Sequence, residues 1–345
     1  MHVEQFTNRA AHFSDAPDWE SLLASPADGG TLLRTPQGYA SATGGRIYRI
    51  EDNIPLLFEP NESIEGDVTA IVKAFYEETP FPNYDDFDSR DSLANKAKAG
   101  IFARLLDEQI PHGVAVLEAG CGTGQLSNFL GMRWARTVIG ADLCLNSLRL
   151  AASFRDRFSI RNAHFLQMNL FRPPFRDDAF DIVICNGVLH HTSDPAEGFR
   201  RLVRKVKPGG YVIIGLYNSL GRLPTDFRRA AIQTFGDHMA KLDTRLRGED
   251  LNDGRWQAWF RDQYKHPHES KHSYGEVLQW FDNSSVDYVS SIPRIDGGPV
   301  TNNADLFIPS PRGNGIDRGW TQIEMLLKGG TDGGLFVMIG RRRGR

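Results

Sequence analysis

The chain is poor in cysteine, in long apolar runs and in excess charge. Its 345 residues include only three cysteines, Cys121, Cys144 and Cys185. An odd, unpaired set excludes a disulfide scaffold and fits a reducing, cytoplasmic compartment. No run approaches the roughly 20 apolar residues of a membrane span, so no membrane partner is expected. Met1 to Asp15 is polar, with His2, Glu4, Arg9 and His12. It lacks the basic-then-apolar layout of a signal peptide. Net charge is −3, which argues against a basic nucleic-acid binder. The tail Arg341-Arg342-Arg343-Gly344-Arg345 is the exception and reads as a solvated terminus. What is present is ordinary globular composition: 40% hydrophobic, 10% aromatic and 24% charged residues. The length suggests about two domains and a core large enough to need no staple.

Five segments follow from the patterning. Residues 1–66 read as a β-rich appendage, because Gly29-Gly30, Pro36-Gln37-Gly38 and Gly44-Gly45 punctuate short apolar runs. Residues 67–112 read as a helical linker. One helix ends in the aromatic loop Tyr76-Glu77-Glu78-Thr79-Pro80-Phe81-Pro82-Asn83-Tyr84 and a second spans 93–110. Residues 113–216 alternate strand and helix, with strands at 114–117, 137–141, 163–168, 180–185 and 211–216. Such alternation predicts an α/β, doubly wound, Rossmann-like sheet with right-handed crossovers. Asp194, Pro195 and Glu197 mark a helix start, and Lys207-Pro208-Gly209-Gly210 its end. Residues 217–272 break the rhythm as an insert after the fifth strand. In such sheets ligands bind outside the carboxyl ends of the strands, so this insert is the expected substrate cover. Residues 273–345 complete the sheet, with a capping box at Ser273 and Glu276 and strands at 286–291 and 335–339.

The strongest signal is Val116-Leu117-Glu118-Ala119-Gly120-Cys121-Gly122-Thr123-Gly124. A buried strand meets a glycine loop whose backbone can turn sharply and approach a ligand. Asp142 ends the next strand, where a carboxylate accepts from both ribose hydroxyls. Gln125 follows Gly124, so the third glycine of a dinucleotide fingerprint is missing, against a nicotinamide oxidoreductase. With Glu118, the loop resembles motif I of the class I S-adenosylmethionine-dependent methyltransferases. Phe180 to His191 and the run Arg200 to Tyr211 are similar to that family's fourth- and fifth-strand blocks. The resemblance covers residues 114–216. It implies about seven strands, the last antiparallel, and S-adenosyl-L-methionine as cofactor. It implies that Gly120, Cys121, Gly122 and Gly124 line the cofactor, and that Glu118 helps hold its amino group. Asp142 would take the ribose and Leu143 the adenine, while Asn169 and Leu170 follow the third strand and Asn186 and Gly187 the fourth. The family often has Asp where Asn169 stands.

Methyl transfer needs an aligned acceptor, a dry site and, for many acceptors, a base. His190, His191 and Tyr76 are the catalytic candidates. Tyr84, His266, His268 and His272 are the substrate-binding candidates, in an aromatic, acidic setting that suits a small amine-bearing acceptor. Residues 268–272 also read literally as His-Glu-x-x-His. Pro267 precedes them and the next helix starts at Ser273, so no metal site is expected. Leu22 to Leu57 resembles the zinc-ribbon-like unit in front of some methyltransferases, with every ligand cysteine missing. The expected function is methyl transfer to O or N of a small biosynthetic acceptor. An RNA base methyltransferase and a cofactor-binding protein without turnover are the alternatives. A monomer and a homodimer both remain open.

Overall fold

The structure is a computed structural model. It describes residues 18–44, 46–61, 67–82, 89–243, 246, 254–327 and 333–344, with residue 255 as backbone alone. Twelve described strands are β1 (Leu32–Thr35), β2 (Gly38–Ser41), β3 (Ile47–Tyr48), β4 (Ile50–Glu51), β5 (Ile54–Leu57), β6 (Val114–Ala119), β7 (Arg136–Asp142), β8 (Ala163–Met168), β9 (Phe180–Asn186), β10 (Val206–Tyr217), β11 (Val286–Ile292) and β12 (Leu335–Arg342). The described α-helices are α1 (Thr69–Glu78), α2 (Arg90–Ala99), α3 (Ile101–Gln109), α4 (Gln125–Gly131), α5 (Leu145–Arg157), α6 (Pro195–Val203), α7 (Leu223–Phe235), α8 (Gly254–Phe260), α9 (Tyr274–Asn283) and α10 (Gly315–Leu327).

The main sheet runs β11-β12-β10-β9-β6-β7-β8-β5-β4. Its first seven members make the expected doubly wound sheet, with β12 antiparallel to both neighbours. The sheet has nine strands rather than seven because the N-terminal segment adds to its edge. Leu56 and Leu57 pair with Gln167 and Met168 in parallel, and β4 closes on β5 as a hairpin. Extending an edge satisfies backbone groups that would otherwise stay unpaired. The remaining N-terminal strands form a separate sheet, β1-β2-β3.

Every residue of β6 is buried, as a central parallel strand covered on both faces requires. Alternate residues serve opposite layers. Ala115 and Leu117 pack with Phe199 and Phe281 and with Leu23, Tyr39 and Tyr48 of the N-terminal unit. Val114 and Val116 pack with Leu105, Leu130, Leu148 and Phe165. The appendage is thus part of one layer of the core.

Two local expectations are corrected. The helix read over 93–110 is two helices broken at Gly100, whose φ −84°, ψ 126° is extended. The Pro208-Gly209-Gly210 segment lies inside β10 as a register shift between Val206 and Tyr211, with Gly209 at φ +78°. The signal at Asp194 acts as read, its side chain accepting from Glu197 N at 2.9 Å. Ser273 likewise accepts from Glu276 N at 3.1 Å.

Candidate functional site

A cavity of about 390 Å³ opens at the carboxyl ends of β6, β7, β8 and β9. The first wall is the β6 loop, with Glu118, Gly120, Cys121 and Gly122. Gly120, Gly122 and Gly124 all have positive φ, which costs glycine nothing and other residues strain. They differ in what surrounds them. A Cβ on Gly122 would stand 2.5 Å from Phe81 O, and one on Gly120 would strike Val188. A Cβ on Gly124 would meet Phe165 and Ala151 instead. Gly124 therefore packs the loop on α5 and β8 and does not line the cavity.

Two carboxylates face this end with no ion pair among the described residues. Glu118 accepts from Ser127 Oγ, and burial pushes its pKa up to about 7. Asp142 accepts from Gly122 N at 2.7 Å and from Cys144 N at 2.8 Å. Burial raises it despite those donors. Leu143, Leu170, Asn186 and Gly187 line the same space. Asn169 also lines it, yet its amide is engaged. Nδ2 donates to Glu59 O at 2.8 Å and Oδ1 accepts from Phe171 N at 3.0 Å. Its Oδ1 keeps one lone pair for a ligand.

The far end is built from α1, the loop after β9, the end of β10 and the insert. Val68, Val72, Tyr76, Phe81, His191, Thr192, Tyr217, Asp262, Gln263 and Leu335 line it. Asp262 and Gln263 lie on a π-helical turn, Arg261–Lys265, a distortion frequent at functional sites. Tyr76 Oη donates to Asp262 Oδ1 at 2.8 Å. Gln263 Nε2 donates to Asp262 Oδ2 and to Tyr217 Oη, both at 3.0 Å. Burial raises Asp262 above the usual carboxylate range. Burial, then Asp262 itself, also pushes the Tyr76 phenol well up, so Tyr76 stays a neutral donor.

Behind this wall lies an ion pair taken wholly out of water. Arg222, 0% exposed, donates to Glu269 at 3.0 and 2.8 Å, to Gln263 Oε1 at 2.8 Å and to Gly333 O at 3.0 Å. Its guanidinium lies 3.6 Å from the Tyr217 ring centroid. Arg229 adds a second contact to Glu269 at 2.9 Å. Burial works against the Glu269 charge, but the two arginines bring its pKa down to about 2.

The histidines divide. His191 lines the cavity, and burial lowers its pKa to about 4. His190 stands behind it, stacked on Tyr217 at 4.1 Å. Neither His190 ring nitrogen has a hydrogen-bond partner among the described residues. It does not reach the cavity. His266, His268 and His272 do not line it either, because their segment is a strap along the site's back. Ser270 N donates to His190 O at 2.7 Å and His272 N to Tyr217 O at 2.8 Å. His266 packs on His191 at 3.6 Å between ring centroids, and burial then His191 lower its pKa to about 3. His268 contacts Thr192 O at 3.1 Å. His272 is held between Glu276 and Ser270, each at 2.8 Å. Among the described residues no group of three or more His, Cys, Asp or Glu is placed to hold a metal. Tyr84 lies outside the described residues. No described helix is long and apolar enough to cross a membrane.

Asp262, Gln263 and Tyr217 escape sequence reasoning. Asp-Gln within a charged helical stretch has the look of a solvated face, and only the π turn directs it inward.

Residues 117–214 match a family described as the methyltransferase domain. The chain is 25% identical over 219 residues to the uncharacterized methyltransferase YcgJ of Bacillus subtilis, covering 63% of this chain and 79% of that protein. It is 26% identical over 202 residues to an uncharacterized Synechococcus protein, syc1184_c, covering 52% of this chain and 48% of that one. It is 32% identical over 138 residues to a malonyl-[acyl-carrier protein] O-methyltransferase of Marinomonas, covering 39% and 50%. The chain thus spans about half the length of two of these three relatives. Among solved structures, PKMT2 from Rickettsia typhi is similar in fold, with TM-score 0.50 and 15% identity over 72% of this chain and 54% of that one. The matched domain, the motif-I loop and the sheet order agree: residues 117–214 form a methyltransferase domain, similar to those of the class I S-adenosylmethionine-dependent methyltransferases.

Proposed function

We propose that the protein methylates an O or N atom of a small molecule held at the far end of this cavity. The observation that carries the reading is the lining itself. Two unpaired carboxylates stand at the glycine-loop end and a mostly apolar, aromatic chamber at the other, with no Lys or Arg among the described lining residues.

The lining fits the cofactor. Glu118 has no cation beside it among the described residues and suits the ammonium of the methionyl portion. Asp142 suits the ribose hydroxyls, as an acceptor at the end of the second core strand. Gly120 and Gly122 let the loop lie against Val188 and Phe81 at the cavity, where a Cβ has no room. Leu143 offers an apolar face to the adenine. S-adenosylmethionine, once bound, supplies a methyl group on an electron-poor sulfonium. The chain's task is to place the acceptor and keep water out. Val68, Val72, Phe81 and Leu335 form the apolar wall. α1 joins the two ends. Glu77 accepts from Leu145 N at 2.9 Å beside the Asp142 turn, and Thr123 donates to Pro82 O. Tyr76 binds Asp262, and Glu78 takes Arg261 at 3.0 and 2.7 Å.

The malonyl-carrier relative and two ubiquinone-biosynthesis relatives are named as O-methyltransferases, which supports a small acceptor group. A tRNA methyltransferase is also among the relatives, but RNA binding calls for basic, salt-sensitive contacts and this cavity has none in its described lining. Release of S-adenosylhomocysteine with small amines and phenols, set against tRNA and rRNA, tests the reading. Turnover with small acceptors is the expected result. Turnover confined to RNA, weakening steeply with salt, contradicts it.

A further inference from the structure

We propose that Asp262 is the acceptor-recognising carboxylate of the cavity, and that the acceptor is a primary or secondary amine arriving as its ammonium. This inference rests on the methyltransferase reading above and names the substrate class of the same site.

Three observations carry it. First, Asp262 is 5% exposed, faces the cavity and forms no ion pair among the described residues. Its oxygens accept one hydrogen bond each, from Tyr76 and Gln263. A carboxylate has about four lone-pair sites, so capacity remains for a ligand. Second, the arginine closest to offering a charge is already used. Arg222 is bound to Glu269, Gln263 and Gly333 O. Third, the groups that contact Asp262 carry no positive charge at neutral pH, and Arg222, whose charge also acts on it, is committed to Glu269 behind the wall. Tyr76, Tyr217 and Gln263 are neutral, and burial holds His191 and His266 far below their ordinary range. The acids of the described lining are Asp262, Glu118 and Asp142, and no Lys or Arg joins them there.

A buried carboxylate without a counter-ion is costly. A ligand cation removes that cost, while an anionic acceptor would add repulsion. The rings of Tyr76, Phe81 and His191 line the same chamber, and aromatic faces attract an ammonium further. Asp262 also disposes of the proton. One ammonium N–H bond breaks, the proton passes to an Asp262 oxygen, and the bonding pair stays on nitrogen as the lone pair that methylation requires. Asp262 returns the proton to solvent between turnovers.

The test compares phenethylamine, phenethyl alcohol and phenylacetate, which share an aryl group and differ in charge. Each is titrated into the protein saturated with S-adenosylhomocysteine, for wild type and Asp262→Asn. The proposal expects phenethylamine to bind at least tenfold more tightly than the other two. It expects Asp262→Asn to lose that preference while its S-adenosylhomocysteine affinity changes less than twofold. Preference for phenylacetate or the alcohol, binding of none of the three, or unchanged amine binding in Asp262→Asn overturns it. Loss of S-adenosylhomocysteine binding in wild type instead overturns the methyltransferase reading. Tyr76→Phe keeps the ring and removes one donor to Asp262. It is expected to retain the amine preference, and loss of that preference to the level of the alcohol would contradict recognition by Asp262.

Discussion

The two ends of the cavity are built in opposite ways. The proposed cofactor end takes short runs from successive strand ends: 118 and 120–122, 142–143, 168–171 and 186–188. The acceptor end takes scattered residues, Val68, Tyr76, His191, Tyr217, Asp262 and Leu335, from five parts of the chain. A parallel sheet puts all its strand ends on one edge, so a ligand bound there meets the same short segments in order. Insertions and distant helices make the rest, and they vary with the substrate. The glycine-loop end is thereby a property of the fold, and the proposed acceptor end a property of this chain.

Substitutions that separate the two ends sharpen the contrast. The largest expected effect is on stability, at the acceptor wall. Glu269→Gln leaves Arg222 charged and 0% exposed without its partner. Breaking such a buried pair costs about 3–5 kcal/mol. A urea melt should show that loss, while the folded fraction keeps its S-adenosylhomocysteine affinity. An unchanged midpoint would mean that the pair contributes nothing net.

Gly122→Ala acts on the other end. The residue sits at φ +53° and its new Cβ would stand 2.5 Å from Phe81 O. Strain of about 1–3 kcal/mol is expected, together with at least tenfold weaker cofactor binding. Wild-type affinity in this variant would contradict the close approach assigned to the loop.

A smaller effect comes from Glu118. Its pKa is raised by burial to about 7 from an ordinary 4.5. A raised folded-state value means that the protonated form is favoured by folding. Its contribution to the stability of the free protein is full below 4.5 and is lost as pH rises through about 7. Binding an ammonium calls for the ionised form, so cofactor affinity should fall as pH drops below about 7. The slope should flatten in Glu118→Gln. Equal slopes in both proteins would remove Glu118 from that role.

Legibility followed the same division. Strand positions from 114 to 217 can be read from short buried runs and cap residues, because each is decided by neighbours in sequence. That Gly120, Gly122 and Asp142 stand at the cavity was readable for the same reason. The added edge strands were not, since β5 looks like any hairpin strand until it pairs with β8. The histidines at 266, 268 and 272 drew attention by their density. Their rings and backbone are instead taken up by His191, Thr192, Tyr217, Ser270 and Glu276, while His266 Nε2 has no hydrogen-bond partner among the described residues. Asp262 drew none, because its inward aim depends on a π turn and on Tyr76, far away in sequence.

The Glu118–Asp142 end of the cavity is proposed to hold S-adenosylmethionine. Calorimetric titration of S-adenosylmethionine and S-adenosylhomocysteine into wild type and Asp142→Ala tests it most directly. Micromolar binding by the wild type and a loss of about 100-fold in the variant are expected, as when two hydrogen bonds to a charged group are removed. A folded wild-type protein that binds neither compound, or a variant that binds both as tightly, would contradict it.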